Sequence, residues 1–563
     1  MIAFPGVIRL VLTALLVLFQ FSIAQTENRP HKCGLPYLLE AVASSKTDLP
    51  ALSRFHKLAI TQVEWDSLPS PSGHFMIHYN TTEYDSIPTY DQDNNGTPDY
   101  LEFVGKSFDR AWEIEINTLG FNPPPDAAGN PRTVYPVYCG NPGRNYNVPA
   151  NTYGVTGWDP SQDIPSLPGL NYPSEVWINT DFSFIPDYLY EHITGSLSGQ
   201  AKRIVRDSLA IAVTAAHEFN HALQLGYRIW QQGNNFPDLW FIENSATYME
   251  EVVADTVNDY YQYLPAFFNN TTEFLAYDGA FGKIYGEVIL NIMLGERFGS
   301  TITREIWQEI LQQPALPAMK QVLQNKGSGL DEELKQLATW MFFSDDRSIP
   351  GRYFPEAAAY PTPKLISQGF DQSREITVTG SLPPLAFRFY QVDLSAPGNV
   401  SLFLSVDSSS QFWESASFTF SEPFVSFFPS NALLSLPETP SLRYYLLVFS
   451  GGWGNDQNQR TSYELRLKQG VQINPDQILV FPNPITPQQP VSRVTFANLP
   501  EDAHIEIFTG NGLHIATVLP ENALRVAFWN LTTNDNKAVA SGVYIYRVVS
   551  AGKSYSGKIM VVR

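Results

Sequence analysis

Cysteine is nearly absent from this chain. Cys33 and Cys139 are the two in 563 residues, so at most one internal bridge can form. Basic residues are also scarce: 36 Lys and Arg against 56 Asp and Glu leave a formal net charge of -20. That balance excludes a nucleic-acid partner, because phosphate contacts need a concentrated basic surface. Charged residues of either sign make up only 16% against 44% hydrophobic, which excludes a largely disordered chain. Beyond the N-terminus no apolar run reaches the ~20 residues of a helical membrane span, so no transmembrane segment is expected after export.

What is present begins with an export signal. Arg9 supplies a weak positive charge, Leu10 to Phe21 is almost wholly apolar, and Ser22-Ile23-Ala24 offers small residues for cleavage after position 24. A short membrane anchor is the alternative, and the run is too short for it. The protein is therefore expected outside the cytoplasm, where an oxidising compartment favours a Cys33–Cys139 disulfide. The length suits about three or four domains. Aromatics are plentiful, with 36 Phe, 28 Tyr and 11 Trp, as β-rich extracellular modules often are.

The pattern along the chain divides it further. Residues 25–68 form a short mixed segment with a helical stretch near Leu38 to Val42, either a propeptide or a cap. Residues 69–350 read as an α+β domain: strand-like runs at Phe75–Tyr79 and Val134–Tyr138 come first, and helical periods follow from Ser198. Residues 370–469 and 475–563 read as two all-β sandwiches, with alternating runs such as Ala386–Val392 and Tyr444–Phe449 between turn residues. Trp413 and Trp453 of the first sandwich are candidate exposed aromatics, with core packing as the default.

The strongest chemical signal is His217-Glu218-Phe219-Asn220-His221. On a helix, positions i and i+4 share a face, so both imidazoles reach one metal ion while Glu218 is turned toward its water. Catalytic zinc takes three protein ligands and keeps a fourth position for water, whose pKa falls to about 7. A carboxylate beside that water serves as general base. Chance alone produces such a pentapeptide in roughly one in a hundred chains of this composition. The second segment, Trp240-Phe241-Ile242-Glu243-Asn244-Ser245-Ala246-Thr247-Tyr248-Met249-Glu250-Glu251, raises its weight. Glu243 lies 22 positions after His221, with a polar Gly/Asn/Pro-containing connection between them. Its plainer role is a helix N-terminal carboxylate.

This spacing resembles that of gluzincins such as thermolysin, and the two segments together resemble a family of bacterial secreted metallopeptidases. Tyr285–Leu290, Glu296–Gly299, Arg304–Trp307 and Leu337–Trp340 are similar to the family's downstream helices, so the likeness covers roughly residues 70–350. It implies a zincin-like metallopeptidase domain holding Zn2+ through His217, His221 and Glu243, with Glu218 as base. It also implies hydrolysis of protein or peptide substrates. Two features depart from the thermolysin pattern. Thr247 stands where an Asp orients a ligand histidine, leaving Glu250 as its substitute, and the oxyanion donor is not marked. Tyr285 is the candidate donor, with a core tyrosine as the alternative. Arg29-Pro30-His31-Lys32-Cys33-Gly34-Leu35-Pro36 resembles the cysteine-switch segment of matrix metalloproteinase propeptides. That leaves Cys33 as a disulfide partner, a zinc-blocking thiol or an inert one.

Asp91-Gln92-Asp93-Asn94-Asn95-Gly96-Thr97-Pro98-Asp99-Tyr100-Leu101-Glu102 matches an EF-hand loop. Asp91, Asp93, Asn95, Asp99 and Glu102 offer side-chain oxygens and Thr97 a carbonyl, with Gly96 at the turn. Pro98 is unusual there, and a clear entering helix is missing. The alternatives are a structural Ca2+ site and an acidic turn that binds nothing. Residues 475–563 resemble the C-terminal sorting domain of the type IX secretion system, through Val480–Pro484, Phe496–Pro500, Ile505–Gly512, Trp529–Leu531, Gly542–Arg547 and Gly557–Arg563. The resemblance implies passage through that machinery to the outer surface of a Gram-negative bacterium, or release from it. The functional expectation is a secreted zinc endopeptidase. A catalytically vestigial surface adhesin and a zinc aminopeptidase are the alternatives, although no Gly-x-Met-Glu-Asn amine anchor is present.

Overall fold

The computed structural model describes residues 30–44, 64–82, 85–158, 172–232, 235–276 and 282–370. It also describes most of 375–562, in stretches interrupted at 395–399, 407–412, 420–423, 431–432, 437–441, 453–458, 470–477, 482, 486–492, 498, 501 and 521–526. The proposed signal peptide, Trp453, Pro482 and the Asn474-Pro475 linker lie outside the described residues. The protein is multidomain and mixed α/β, with several β-sheets. No helix among the described residues is long and apolar enough to cross a membrane.

The chain divides into two compact units, the first comprising 1–268, 276–333 and 343–361. Its centre is a six-stranded mixed sheet built from β1 (His31–Cys33), β2 (Asp66–Pro69), β3 (Phe75–Tyr79), β4 (Tyr135–Cys139), β5 (Thr152–Trp158) and β6 (Ser174–Ile178). The spatial order is β1-β5-β6-β4-β3-β2. β3, β4 and β6 run parallel, β5 runs against β6, and β1 runs parallel to β5 at the sheet's edge. β5 is buried along its whole length, as a strand covered on both faces must be. The segment 25–68 therefore contributes two strands to this sheet, and the boundary drawn at residue 69 falls inside it.

Helices α1 (Leu35–Ser44), α2 (Asp99–Trp112), α3 (Gly199–Gln224) and α4 (Leu239–Ala254) follow, with α5 (Val288–Phe298) and α6 (Ile302–Ile310) beyond them. α3 packs on β5, β6, α2 and α4. From Ala210 onward small and apolar residues seat it in the core, and they carry His217, Glu218, Asn220, His221 and Gln224 inside with them. Burying five polar side chains on one helix is costly unless each is paired.

The expected disulfide does not form: Cys33 and Cys139 are both free and buried. Sheet order gives the reason. Cys33 is registered with Gly154, Gly154 with Ile178, and Ile178 with Cys139. Three strand spacings of about 4.8 Å put the two cysteines roughly 14 Å apart, beyond the ~7 Å a bridge tolerates.

In the second unit, residues 365–469 form a sandwich of a four-stranded and a five-stranded sheet. Its core contains Tyr390, Leu402, Leu446, Leu465 and Trp413. Trp413, at 2% exposure, is thus a core residue and not an exposed aromatic. Among its described residues the C-terminal module has seven strands, in sheets of three and four, around a core that includes Phe496, Ile505, Trp529, Val548 and Ile559.

Candidate metal centre

α3 and α4 lie side by side, and their buried faces bring together the three expected ligands. His217 Nε2 and His221 Nε2 are 3.0 Å apart. Glu243 Oε2 lies 3.4 Å from the first and Glu243 Oε1 3.5 Å from the second. Donors about 2.05 Å from a tetrahedral zinc stand about 3.3 Å apart, so this triangle has the size of one face of such a site. Both carboxylate oxygens of Glu243 are buried without a hydrogen-bond donor. Orphaned buried acceptors facing two imidazoles are what a cation site requires. Burial opposes ionisation of Glu243, yet the imidazoles hold its carboxyl down at about 2. The donor set fits zinc.

Glu218 sits beside these donors. Its Oε2 accepts from Thr156 Oγ1 at 2.8 Å, and the same hydroxyl lies 2.7 Å from the Glu218 carbonyl. Its Oε1 has no nitrogen or hydroxyl donor, and the Cys33 thiol hydrogen-bonds the same carboxyl group. Burial pushes this carboxyl above its usual range, against the pull of His221 and His217. Gly154 makes the approach of β5 to α3 possible. A Cβ there would stand 2.7 Å from Thr214 Cγ2 and 2.8 Å from Glu218 Cγ.

The outer nitrogens of both imidazoles are held. His221 Nδ1 pairs with Gln224 Oε1 at 2.7 Å. Gln224 Nε2 in turn donates to Asn220 Oδ1 at 2.7 Å, and Asn220 Nδ2 donates to Glu115 Oε2 at 2.8 Å. His217 Nδ1 pairs with Glu250 Oε1 at 2.8 Å. The other oxygen of Glu250 meets Lys32 Nζ at 2.7 Å, and Lys32 reaches Asp259 Oδ2 at 2.6 Å. All three of these side chains are at most 2% exposed. Burial works against the Lys32 ammonium, but Asp259 and Glu250 raise its pKa above the ordinary value. Thr247, by contrast, bonds back to the Glu243 carbonyl of its own helix. Glu250 therefore takes the orienting position that Thr247 leaves vacant.

Tyr285 is buried, its ring 6.2 Å from that of His217. It borders a cavity also lined by Lys32, Cys33, Tyr37, Tyr263 and Ile284. Burial, with Glu243 and Cys33 nearby, pushes its phenol pKa well above the ordinary value.

A fourth donor joins the cluster. Cys33 Sγ, His217, His221 and Glu243 present ligand atoms all within 4.8 Å of one another, and all four residues are buried. Sequence reasoning left the fate of Cys33 open and missed Lys32, Thr156, Gln224 and Asp259. Of these only Gln224 carried a local signal, standing one helical turn after His221.

The acidic loop is also assembled. Asp91, Asp93 and Asp99 place oxygens within 4.8 Å of one another. Asn95 Nδ2 bonds Asp93 Oδ2 at 2.9 Å and Glu102 Oε1 at 2.5 Å. Gly96 turns the chain at φ +90°, a conformation only glycine adopts freely, and α2 begins at Asp99. No helix leads into the loop, and Thr97 donates its N–H to Asn95 Oδ1.

No model of a known protein family matches the chain, and no curated protein matches its sequence. Among solved structures it shows a short likeness to PorZ, a surface component of the type IX secretion system of Porphyromonas gingivalis. The identity is 29% over 18% of this chain and 14% of PorZ, with a TM-score of 0.15. Salmonella Typhimurium PliG, a periplasmic lysozyme inhibitor, is 16% identical over 19% of this chain and 98% of its own, at 0.15. The adhesin domain of Epf from Streptococcus pyogenes is 7% identical over 33% and 77%, at 0.13. At such TM-scores none of these likenesses bears on the fold or activity of this chain.

Proposed function

We propose that this chain is a zinc-dependent endopeptidase with a zincin-like first unit, exported by the type IX route to the bacterial surface. The observation that carries the reading is the triangle of His217, His221 and Glu243. It has zinc dimensions, and beside it stands Glu218, with one carboxylate oxygen held by Thr156 and the other free of any nitrogen or hydroxyl donor.

Zinc held there would supply Lewis acidity, polarising a peptide carbonyl and acidifying a water. The chain's own residues do the rest. Thr156 fixes the Glu218 carboxylate through its Oε2. Glu218 takes a proton from water as its oxygen adds to the carbonyl carbon, then hands that proton to the amine as the C–N bond breaks. A carboxyl raised by burial is better matched to that exchange than an exposed one. Glu250 and Gln224 hold the two imidazoles by Nδ1, leaving Nε2 of each for the metal. Tyr285, protonated and beside His217, is the donor proposed for the tetrahedral oxygen. The loop at 91–102 is proposed to hold a structural calcium ion.

The test is zinc content together with casein cleavage, for wild type and Glu218→Gln side by side. One zinc per chain in both, with cleavage confined to wild type, is the expected result. Equal cleavage by the two would remove Glu218 from the reaction. Protein purified without zinc, and unable to take it up, would remove the metal reading altogether.

A further inference from the structure

Three observations converge on residues 30–44. First, β1 lies along the edge of β5, with His31 N donating to Asn151 O at 2.9 Å and Gly34 N to Gly154 O at 3.0 Å. Without β1, the backbone of β5 beside the ligands would be a free edge, which is where an extended peptide adds to a sheet. Second, the strand ends by delivering Cys33 Sγ into the ligand cluster, where Leu35 N donates to it at 3.2 Å. Both oxygens of Glu243 are buried without a hydrogen-bond donor, Glu243 offers one of them to this cluster, and the thiol also meets the Glu218 carboxyl. Third, Lys32 anchors the strand by ion pairs to Glu250 and Asp259, and Glu250 is the group that orients His217.

Building on the zinc peptidase reading, we propose that residues 30–44 are a built-in inhibitor. β1 occupies the peptide-binding edge of β5, and Cys33 Sγ is the fourth zinc ligand. In the intact chain the site is then closed, with no position left for water, and the enzyme is latent until the strand is withdrawn. The lock has two points on adjacent residues, since Cys33 blocks the metal while Lys32 ties the strand to the carboxylate behind His217. A structural zinc site is also four-coordinate and closed. The buried Glu218 argues against that here, because a permanently closed site has no use for a carboxylate held beside the ligands by Thr156 and by the thiol itself.

The experiment is zinc X-ray absorption on the full wild-type chain and on Cys33→Ser, with zinc content and casein cleavage measured on both. Wild type is expected to show one sulfur at about 2.3 Å in addition to nitrogen and oxygen neighbours. Cys33→Ser should keep its zinc, lose the sulfur, and cleave casein at least tenfold faster than wild type. That gain should vanish in the Cys33→Ser, Glu218→Gln double variant. Zinc without sulfur in wild type would overturn the ligand assignment, and this arm needs no variant to fold. Sulfur present, but no gain with zinc retained either in Cys33→Ser or in a Lys32→Met, Cys33→Ser variant that frees the strand at both points, would overturn latency in favour of a structural site. Absence of zinc from wild type would instead sink the peptidase reading on which the proposal rests.

Discussion

The cluster around His217 and the loop at 91–102 both draw carboxylate oxygens toward a common point, yet the cluster leaves one carboxylate, Glu243, with no hydrogen-bond donor. In the loop, Asp91 accepts the N–H groups of Asn95 and Gly96, Asp93 accepts from Asn95, and Glu102 pairs with Lys106. Backbone donation, that of Gly96 foremost, lowers the pKa of Asp91. In the cluster, Glu243 has two oxygens with no donor, and every member is buried. An exposed carboxylate loses little by folding into a turn, whereas an unpaired buried one is costly until something cationic arrives. The two regions therefore differ in what removing the ion would do. The loop keeps a hydrogen-bonded shape, and the cluster keeps an unsatisfied one.

The largest expected effect breaks the cluster. Glu243→Ala should reduce zinc from one per chain to near zero by metal analysis, while Asp91→Ala should leave zinc unchanged. If both variants retained zinc, the metal would be held elsewhere. Next in size is Glu250→Gln. It keeps the shape but weakens the acceptor behind His217 and removes a negative charge facing Lys32. Zinc affinity, read by competition with a chelator, should fall about 10–100-fold, the usual cost of losing such a partner. An unchanged affinity would mean that Glu250 serves Lys32 alone.

The loop should respond more mildly. Millimolar calcium at about ten times its dissociation constant contributes roughly 1.4 kcal/mol to the folded state. For a unit of this size that is a rise of about 3 °C in the unfolding midpoint by scanning calorimetry. Gly96→Val should abolish the rise, since a β-branched residue does not tolerate φ +90°. A midpoint indifferent to calcium in wild type would leave the loop as a self-satisfied turn.

What the sequence made legible follows the same division. Both motifs are local: His217, Glu218 and His221 share one helix, and the oxygen-bearing residues of the acidic loop fall within 12 positions, so spacing alone brought each set into view. Glu243 was within reach because α4 follows α3 through a short reversing connection. The strand and helix periods around Phe75, Ser208 and Tyr444 were likewise local. Lys32 and Asp259 stand 227 positions apart, and no periodicity in either segment announces their pairing. Cys33 reaches the site only because β1 inserts beside β5, a neighbour 121 residues later whose adjacency is fixed by sheet order. The same order defeats the disulfide that compartment and count had favoured. Trp413 lies in the core, in agreement with the default reading of that residue, although strand alternation does not say which face of a sandwich meets the other sheet.

The smallest expected effect sharpens what makes an unpaired buried carboxylate a ligand. Asp238, just before α4, resembles Glu243 in burial and in having an unpartnered oxygen, Oδ2. Its other oxygen accepts only Ala315 N, at 2.9 Å. No imidazole faces it, so burial prevails and raises its pKa to about 7, where the imidazoles hold Glu243 at about 2. The unfolded chain ionises near 3.9, so the folded state favours the proton. The stability Asp238 contributes is full below pH 4 and is lost as pH rises toward 7. Asp238→Asn keeps the acceptor for Ala315 and has no charge to desolvate. It should therefore stabilise the protein at pH 8, by on the order of 2 kcal/mol, and the gain should shrink as pH falls toward 5. Thermal midpoints at the two pH values decide it. A gain independent of pH would show that Asp238 does not titrate between them, and that an unpaired oxygen alone fails to separate a neutral buried acid from a metal ligand.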